Sequence, residues 1–481
     1  MSVDAKGDGG SASSGHLSPK SQVHLVYFLV VLYAVCYQLQ SPLEPFLVDS
    51  LVGKDKSSES TASYARLQSF FGVIQMVGSL SIGNLLDRWG ARAGFVINFI
   101  ACAASYALLA NTSSLTILYL SKVPGVAMAG FLCAQTTVSQ LTPSGEERVI
   151  ALGRLTTAYT VGGVVGPYTG GLLGAKGDYF LSAKIAAVVS LFAAALSMLL
   201  PVASSAPPSA TSATTASVTE KTPKEGQPWS ERAAVVFKLA GQGRGQVRAR
   251  ELEGHEGTGK GVRGLEPRGA ARPRRCFAGF LIMVKLVSST ANSMSSSAQS
   301  VILKNDLGFT EADLGFFMSS QFAFGGFANG FLLAPVTKLM GGNSRAVVSN
   351  CVLTMALGYY AQAVLRSESL GILSAMPAMF QTYTFMGLAM FLSIFQYSLG
   401  TSITAESTKI VPEDMKGTLI GMEHCIFSAA RILTPTIGIS ILNNAGVSVL
   451  YATCASIFLS VAGAWVALAG RFLPPQHEKG S

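Results

Sequence analysis

The sequence has little charge. Only 13% of its 481 residues are Asp, Glu, Lys or Arg, whereas 49% are hydrophobic and the mean hydropathy is +0.42. Soluble domains carry about 25% charged residues. The composition therefore excludes an ordinary soluble enzyme and indicates a membrane protein.

The sequence also lacks the cysteine spacings that are typical of metal sites and redox motifs. The chain has seven cysteines but no CxxC pair and no Cys/His spacing typical of a metal site. All except Cys276 lie within apolar runs, where cysteine behaves as a small buried side chain. We therefore expect no disulfide framework, no metal and no cofactor.

The net charge of +9 is mostly local. Residues 202–275 hold 13 Lys and Arg against seven Glu, which accounts for six of the nine charges. A basic loop explains this excess, so no nucleic-acid partner is expected. Residues 241–275 interrupt the pattern of the chain as an insertion to which no function is assigned; attraction to anionic lipid is the alternative.

Twelve apolar runs follow one another along the chain. A helix of about 20 residues spans the ~30 Å hydrocarbon core of a bilayer. The runs lie near residues 23–47, 64–86, 93–110, 115–141, 152–173, 179–200, 277–303, 311–337, 346–365, 370–402, 417–442 and 446–470. The sequence therefore predicts an all-α membrane protein with twelve transmembrane helices in two six-helix halves.

The polar segments give the organisation and the orientation. We predict a disordered cytoplasmic tail (1–22), an N-terminal half (23–200), a cytoplasmic basic low-complexity loop (201–276), a C-terminal half (277–470) and a cytoplasmic tail (471–481). Lys and Arg concentrate in the loops that follow even-numbered runs, and such loops face the cytoplasm. The chain is thus predicted to be a multi-pass protein with both termini cytoplasmic, in either the plasma membrane or an endomembrane.

A glycine-rich stretch lies in the fifth run. Gly162, Gly166 and Gly170 recur every four residues, so they share one helix face beside Pro167. Such a face suits close helix packing in a membrane. Together with Gly171, the stretch resembles the GxxxGPxxGG antiporter motif of drug:proton antiporters of the major facilitator superfamily.

A second motif joins the second and third runs. It resembles the major facilitator signature G-x-L-x-D-R-x-G-R-[RK] and departs from it at Ala91. A tight turn here would place one carboxylate and two guanidinium groups at the cytoplasmic surface, and the resemblance implies that they gate a transporter. The residues concerned are Gly83, Asp87, Arg88, Gly90 and Arg92.

The stretch from Lys122 to Gly171 resembles one branch of the superfamily more than the others. With Pro124-Gly125, and with Arg431 ten residues after Gly421, it looks like the organic-cation-transporter-like branch of solute carrier family 22 that contains member 18. This resemblance implies twelve helices, alternating access and polyspecific transport of organic solutes with proton exchange.

Polar residues at helical spacing within apolar runs mark a candidate pathway, because such groups in lipid would lack partners. We expect the pathway for substrate or protons to be lined by Tyr37, Glu44, Lys122, Gln135, Lys285, Asn292, His424 and Arg431. Glu44, Glu423 and His424 are the candidate proton carriers. The alternative for both glutamates, and the expectation for Lys184 and Lys304, is a side chain that reaches to the membrane interface.

The sequence thus predicts a secondary active transporter, not an enzyme. It would move small organic solutes, such as organic cations or drugs, in exchange for protons, as a monomer in the lipid bilayer. Two alternatives stay open: a uniporter or symporter, and a non-transporting sensor or scaffold with the same fold.

Overall fold

The computed structural model describes residues 18–53, 57–142, 146–201, 272–341, 344–367, 377–408 and 416–472, and within these ranges it is helical without strands. The helices are α1 (Pro19–Gln38), α2 (Glu44–Val52), α3 (Ser57–Ala110), α4 (Leu115–Lys122), α5 (Gly130–Leu141), α6 (Glu146–Gly174), α7 (Leu181–Ser197), α8 (Arg272–Asn305), α9 (Glu311–Phe327), α10 (Leu333–Leu339), α11 (Ser344–Leu365), α12 (Ala378–Thr408) and α13 (Lys416–Phe472). Residues 1–17, 202–271 and 473–481, which make up most of the predicted tails and loop, lie outside the described residues. The boundaries at 22 and 276 are wrong by a few residues, because α1 already begins at Pro19 and α8 at Arg272.

Two long helices are broken by glycine. Gly90 divides α3 with a φ of 75°, and Gly446 divides α13 with a φ of 85°. Positive φ of this size favours glycine, because a Cβ would be strained there. Each of these helices is therefore two segments joined by a one-residue turn.

Three other pairs form single bent segments. A turn over residues 39–43 joins α1 to α2, the 3₁₀ helix Val123–Ala127 lies between α4 and α5, and the π-helical turn Ala328–Leu332 joins α9 to α10. Counted this way, the described residues form twelve helical segments in the places of the twelve predicted runs.

Within the described residues, six helical ranges are long and apolar enough to cross a membrane, by length and composition alone. They are Lys20–Gln38, Trp89–Ala110, Leu115–Leu141, Arg345–Leu365, Met379–Ser407 and Cys425–Ala467. The last range contains both segments of the broken helix α13, and α7 is a shorter apolar helix.

The segments form two groups, the first from residues 19–200 and the second from residues 272–472. One core cluster lies wholly in the first group, around Phe95, Phe99 and Leu155. The other lies mostly in the second group, around Phe317 and Tyr451, and extends to first-group residues where the groups meet. Lipid is as apolar as these side chains, so tight packing rather than hydrophobic burial must hold the helices together.

Consecutive segments run in opposite directions, which gives the bundle two ends. The Asp49 end contains the joins near residues 53, 111, 177, 306, 367 and 446. The Gly90 end contains those near residues 90, 142, 201, 341 and 408.

Candidate functional site

A central cavity lies between the two groups of helices. Its volume is about 590 Å³, and both groups contribute to its wall. Its polar and aromatic lining includes Tyr33, Tyr37, Glu44, Tyr64, Gln68, Phe71, Gln75 and Lys122 from the first group and Asn292, Ser296, Gln299, Gln321, Phe322, Tyr397 and Arg431 from the second. Five of the predicted pathway residues therefore meet in one space: Tyr37, Glu44, Lys122, Asn292 and Arg431.

Glu44 forms a buried ion pair with Lys122. Glu44 begins α2, immediately after the bend that follows α1, and Lys122 ends α4. Their side chains are only 12% and 11% exposed. The second oxygen of Glu44 accepts a hydrogen bond from Gln68 Nε2 at 2.6 Å. Glu44 therefore does not reach to an interface, and that alternative is wrong.

Other titratable or charged groups also face Glu44. Tyr64 on α3 and Arg431 on α13 both interact with it electrostatically. The ammonium of Lys122 lies 5.4 Å from the centre of the Phe71 ring, a distance at which a cation is attracted to an aromatic face. The charge of Glu44 is thus coupled to both cations of the cavity.

Arg431 extends from α13 toward the first group of helices. Its Nη1 donates to Gln75 Oε1 at 3.3 Å and its Nη2 donates to Gln68 Oε1 at 3.4 Å. The guanidinium also lies 6.0 Å from the centre of the Phe427 ring. In the part of the chain that the structure describes, it makes no ion pair with a carboxylate.

Lys285 lies in a second polar cluster, away from the cavity lining. Its Nζ is 2.5 Å from Glu423 Oε2 and donates to Thr404 Oγ1 at 2.9 Å. Thr404 in turn donates to the same glutamate oxygen at 3.0 Å. All three residues belong to the second group, and Glu423 is buried, so its interfacial alternative is also wrong.

Two other pathway candidates are not placed in the cavity. Gln135 lies on α5 outside the lining, and its buried Oε1 has no hydrogen-bond partner. It is partly buried between helices, where an apolar run with one polar residue cannot show which way that residue faces. The side chain of His424 lies outside the described part of the chain.

The glycines of the antiporter-like motif make two close helix contacts. A Cβ on Gly162 would lie 2.5 Å from Ala34 Cβ, and one on Gly166 would lie 2.7 Å from Gln38 Cβ, both on α1. Gly170 packs against the backbone of Leu39, the residue that follows α1. This face therefore packs on α1, within the first group of helices.

An adjacent face of α6 packs directly on α9. A Cβ on Gly171 would lie 2.5 Å from the backbone oxygen of Glu311, and one on Gly163 would lie 2.6 Å from the Phe322 ring. Gly315 on α9 meets the backbone of Pro167 and Gly171 in return. Only residues without side chains allow this approach, so α6 links both groups.

Polar contacts between the groups close the Asp49 end. Lys304 on α8 forms an ion pair with Asp49 on α2 and donates to the Pro45 backbone oxygen at 3.0 Å. Tyr179 donates to Glu311 at 2.7 Å. The expectation that Lys304 reaches to the interface is thus wrong, because a carboxylate of the other group holds it.

Lys184 differs from Lys304 in its exposure and in the location of its partner. It is 58% exposed, and its partner Asp178, at 3.7 Å, is 45% exposed and belongs to the same group of helices. Its position therefore agrees with the expected exposed side chain.

The second motif lies at the Gly90 end. Gly90 makes the turn between two helical segments, and Arg92 is partly buried just beyond it. Gly83, Asp87 and Arg88 belong to the helix before the turn, but their side-chain environments lie outside what the structure describes. The predicted gating role of this motif stays a prediction.

Among the described residues, no group of three or more His, Cys, Asp or Glu side chains is arranged to hold a metal ion. The six cysteines whose side chains the structure describes are free, and five of them are buried.

Comparison with known proteins decides the family. The sequence profile of the Major Facilitator Superfamily matches residues 26–284. The chain belongs to the Major Facilitator Superfamily. Members of this family are multi-pass membrane transporters and not enzymes, and the twelve described segments agree with its twelve-helix fold.

Curated relatives match the chain over part of its length. Human solute carrier family 67 member A1 is 34% identical over 186 residues, which cover 38% of this chain and 42% of that protein. Mouse solute carrier family 22 member 18 is 34% identical over 178 residues, 36% and 42% of the two chains. The class C tetracycline resistance protein of Escherichia coli is 34% identical over 160 residues, 32% and 39%. The alignments thus span about two fifths of each relative.

Solved structures match nearly the whole fold. A peptide transporter of the POT family in complex with sulfate superposes with a TM-score of 0.65 at 16% identity, covering 96% of both chains. The human organic anion transporter MFSD10 superposes with a TM-score of 0.62 at 16% identity, covering 94% of this chain and all of that one. At such identities the likeness shows the fold alone.

Proposed function

We propose that this transporter is a secondary active carrier that moves small organic solutes through the central cavity by alternating access, driven by protons. The observation that supports this most directly is the position of the cavity. It lies between two groups of helices, contains a buried carboxylate, and is bounded at one end by contacts that can separate.

The contacts at the Asp49 end suit a reversible gate. They consist of an ion pair, a few hydrogen bonds and glycine packing, none of which links the two groups covalently. In the proposed cycle these contacts separate while the motif around Asp87, Arg88 and Arg92 closes the Gly90 end. With both termini in the cytoplasm, the described arrangement would be the one whose cavity faces the cytoplasm.

Glu44 is the proposed proton carrier. In its charged form it accepts hydrogen bonds from Lys122 and Gln68. A proton taken up on its carboxylate would remove the negative charge and leave Lys122 without its partner, which changes the charge balance of the whole cavity. The binding of a solute that depends on this charge balance would then be coupled to the uptake of the proton.

The size and lining of the cavity favour a small organic solute. Ligand pockets for drug-sized molecules have volumes of about 300–1,000 Å³, a range that includes the volume found here. The similarity to a protein named for tetracycline resistance supports a drug-like solute. An organic cation is the second candidate, and the aromatic faces of Tyr33, Tyr37 and Phe71 favour it.

One chain is sufficient for this mechanism. Both walls of the cavity come from the same polypeptide, so we propose that the carrier functions as a monomer in the lipid bilayer. No partner chain is needed to complete the proposed pathway.

The proposal is tested by flux into proteoliposomes under an imposed pH gradient, with a fluorescent organic cation and a fluorescent organic carboxylate as probes. We expect proton-driven flux of one probe, and its loss in Asp87→Asn and in Glu44→Gln. Glu147→Gln is the matched control, because Glu147 is exposed and lies outside the cavity lining. Saturable binding without flux of either probe would refute the carrier and favour the sensor.

A further inference from the structure

The charges that line the cavity do not balance. Among the described residues, its lining contains three charged side chains: Glu44, Lys122 and Arg431. The carboxylate of Glu44 is already engaged by Lys122. One positive charge, that of Arg431, is therefore left over within the wall of the cavity.

The surroundings of Arg431 differ from those of the buried lysines. Lys122 has Glu44, Lys285 has Glu423 and Lys304 has Asp49 as carboxylate partner. Arg431 has two amide oxygens at 3.3 and 3.4 Å, both long for hydrogen bonds. A buried charge is costly unless it is paired and fully hydrogen-bonded, and in this part of the chain no carboxylate supplies the pair.

Glu44 acts on the guanidinium electrostatically without forming an ion pair with it, and the other described neighbours of the guanidinium are neutral. The Tyr37 hydroxyl lies within hydrogen-bonding reach, and the Phe427 ring lies on another side. A guanidinium has five N–H donors in one plane and can hold an oxyanion through two parallel hydrogen bonds. Two weak amide contacts leave donors for such a ligand.

The position of Arg431 connects the ligand to the conformational change. A Cβ on Gly72 would lie 2.9 Å from the Arg431 backbone, so the first and second groups touch at this residue. Gln68 accepts from Arg431 and donates to Glu44. A ligand that takes the guanidinium away from Gln68 would also change the hydrogen bonding of the proposed proton carrier.

We propose that the solutes recognised by this cavity carry an oxyanion, such as a carboxylate, that docks on Arg431 while an aromatic or aliphatic body packs against the aromatic wall. This inference rests on the proposed function, since it names the substrate class of the same cavity. It favours organic anions over the organic cations that the sequence alone suggested.

The test compares three probes of matched shape that differ in their head group: 3-phenylpropanoate, its neutral amide and 3-phenylpropylamine. Binding to the purified full-length protein in detergent is measured by titration calorimetry and by the shift in thermal unfolding. We expect the carboxylate to bind about ten- to a hundredfold more tightly than the amide, as charge-assisted hydrogen bonds require.

The variants separate the guanidinium from general effects of charge. In Arg431→Gln the preference for the carboxylate should be lost, and in Arg431→Lys it should be reduced but still present. Lys184→Gln removes one positive charge from the exposed pair outside the cavity and should leave the preference unchanged.

Several outcomes would overturn the inference. These are equal binding of carboxylate and amide, a preference for the amine, or a carboxylate preference that survives in Arg431→Gln. The ranking of the three probes on the parent protein gives a decision even where Arg431→Gln does not fold. Carboxylate binding without proton-driven flux would refute the carrier and not the anion site, whereas flux of a cation without carboxylate preference would do the reverse.

Discussion

Lys304 holds the Asp49 end closed, and its removal should shift the transporter toward the opposite state. Its side chain is 12% exposed and contacts both the Asp49 carboxylate and the Pro45 backbone oxygen in the other group of helices. Hydrogen bonds to charged groups contribute about 1.5–3 kcal/mol each. Because Asp49 is 28% exposed and solvent screens the pair, we take the lower part of this range, about 2 kcal/mol for Lys304→Gln.

A loss of that size lowers the equilibrium constant for closure of the Asp49 end about 30-fold. Spin labels at Ser50→Cys and Asn305→Cys, both on exposed positions of that end, report the distance between the groups. Lys304→Gln should move the distance distribution toward long distances, and Lys184→Gln should leave it unchanged, because its pair lies within one group.

Exchange of the two charges gives a second check of the same reasoning. Asp49→Lys combined with Lys304→Asp should restore the short distances at least in part. Identical distributions in Lys304→Gln and the parent protein would show that this ion pair does not hold the end closed.

Three further predictions concern packing, the second polar cluster and the charge of the cavity. Gly170→Ala should lower the free energy of unfolding by about 1–3 kcal/mol, because its Cβ would overlap the backbone of Leu39 at the end of α1. Gly153→Ala on the same helix should be tolerated, because its Cβ would meet nothing within 4 Å. Lys285→Met should cost about 3–5 kcal/mol by leaving a buried carboxylate unpaired, and Lys285→Met with Glu423→Leu should recover most of this loss in unfolding measurements. Glu44→Gln should tighten the binding of 3-phenylpropanoate in titration calorimetry, because the substitution raises the cavity from one net positive charge to two; weaker binding in Glu44→Gln would contradict this.

Much of the fold could be predicted because its signals are local. Apolar runs of membrane-spanning length gave the helices, and Gly90 marked a turn that requires a positive φ. The face of Gly162, Gly166 and Gly170 indicated close packing. Its partner helix α1 was not evident, because contacts between helices far apart in sequence depend on the whole arrangement.

The site was only partly predictable for the same reason. Polar residues in apolar runs drew attention to Glu44, Lys122 and Arg431, but spacing cannot show that the first two form a pair across 78 positions of sequence. The same criterion wrongly placed Gln135 and Lys285 in the cavity.

Gln68 and Gln75 were not among the predicted pathway residues, although a signal existed. They lie seven residues apart on the second span, which places them on one face of the helix together with Tyr64 and Phe71. Their role as the neighbours of Arg431 depends on the contact between α3 and α13, which the sequence alone does not reveal.

The central claim, alternating access through one cavity, is tested most directly by counterflow. Proteoliposomes preloaded with a high concentration of unlabelled 3-phenylpropanoate are placed in a low concentration of the radiolabelled compound, without a pH gradient. We expect the label to accumulate transiently inside above its external concentration, because the excess of unlabelled compound inside competes with the label for exit through the carrier. Uptake that rises only to the external concentration would indicate a channel, and binding without uptake would indicate a protein that does not transport; either result would contradict the account.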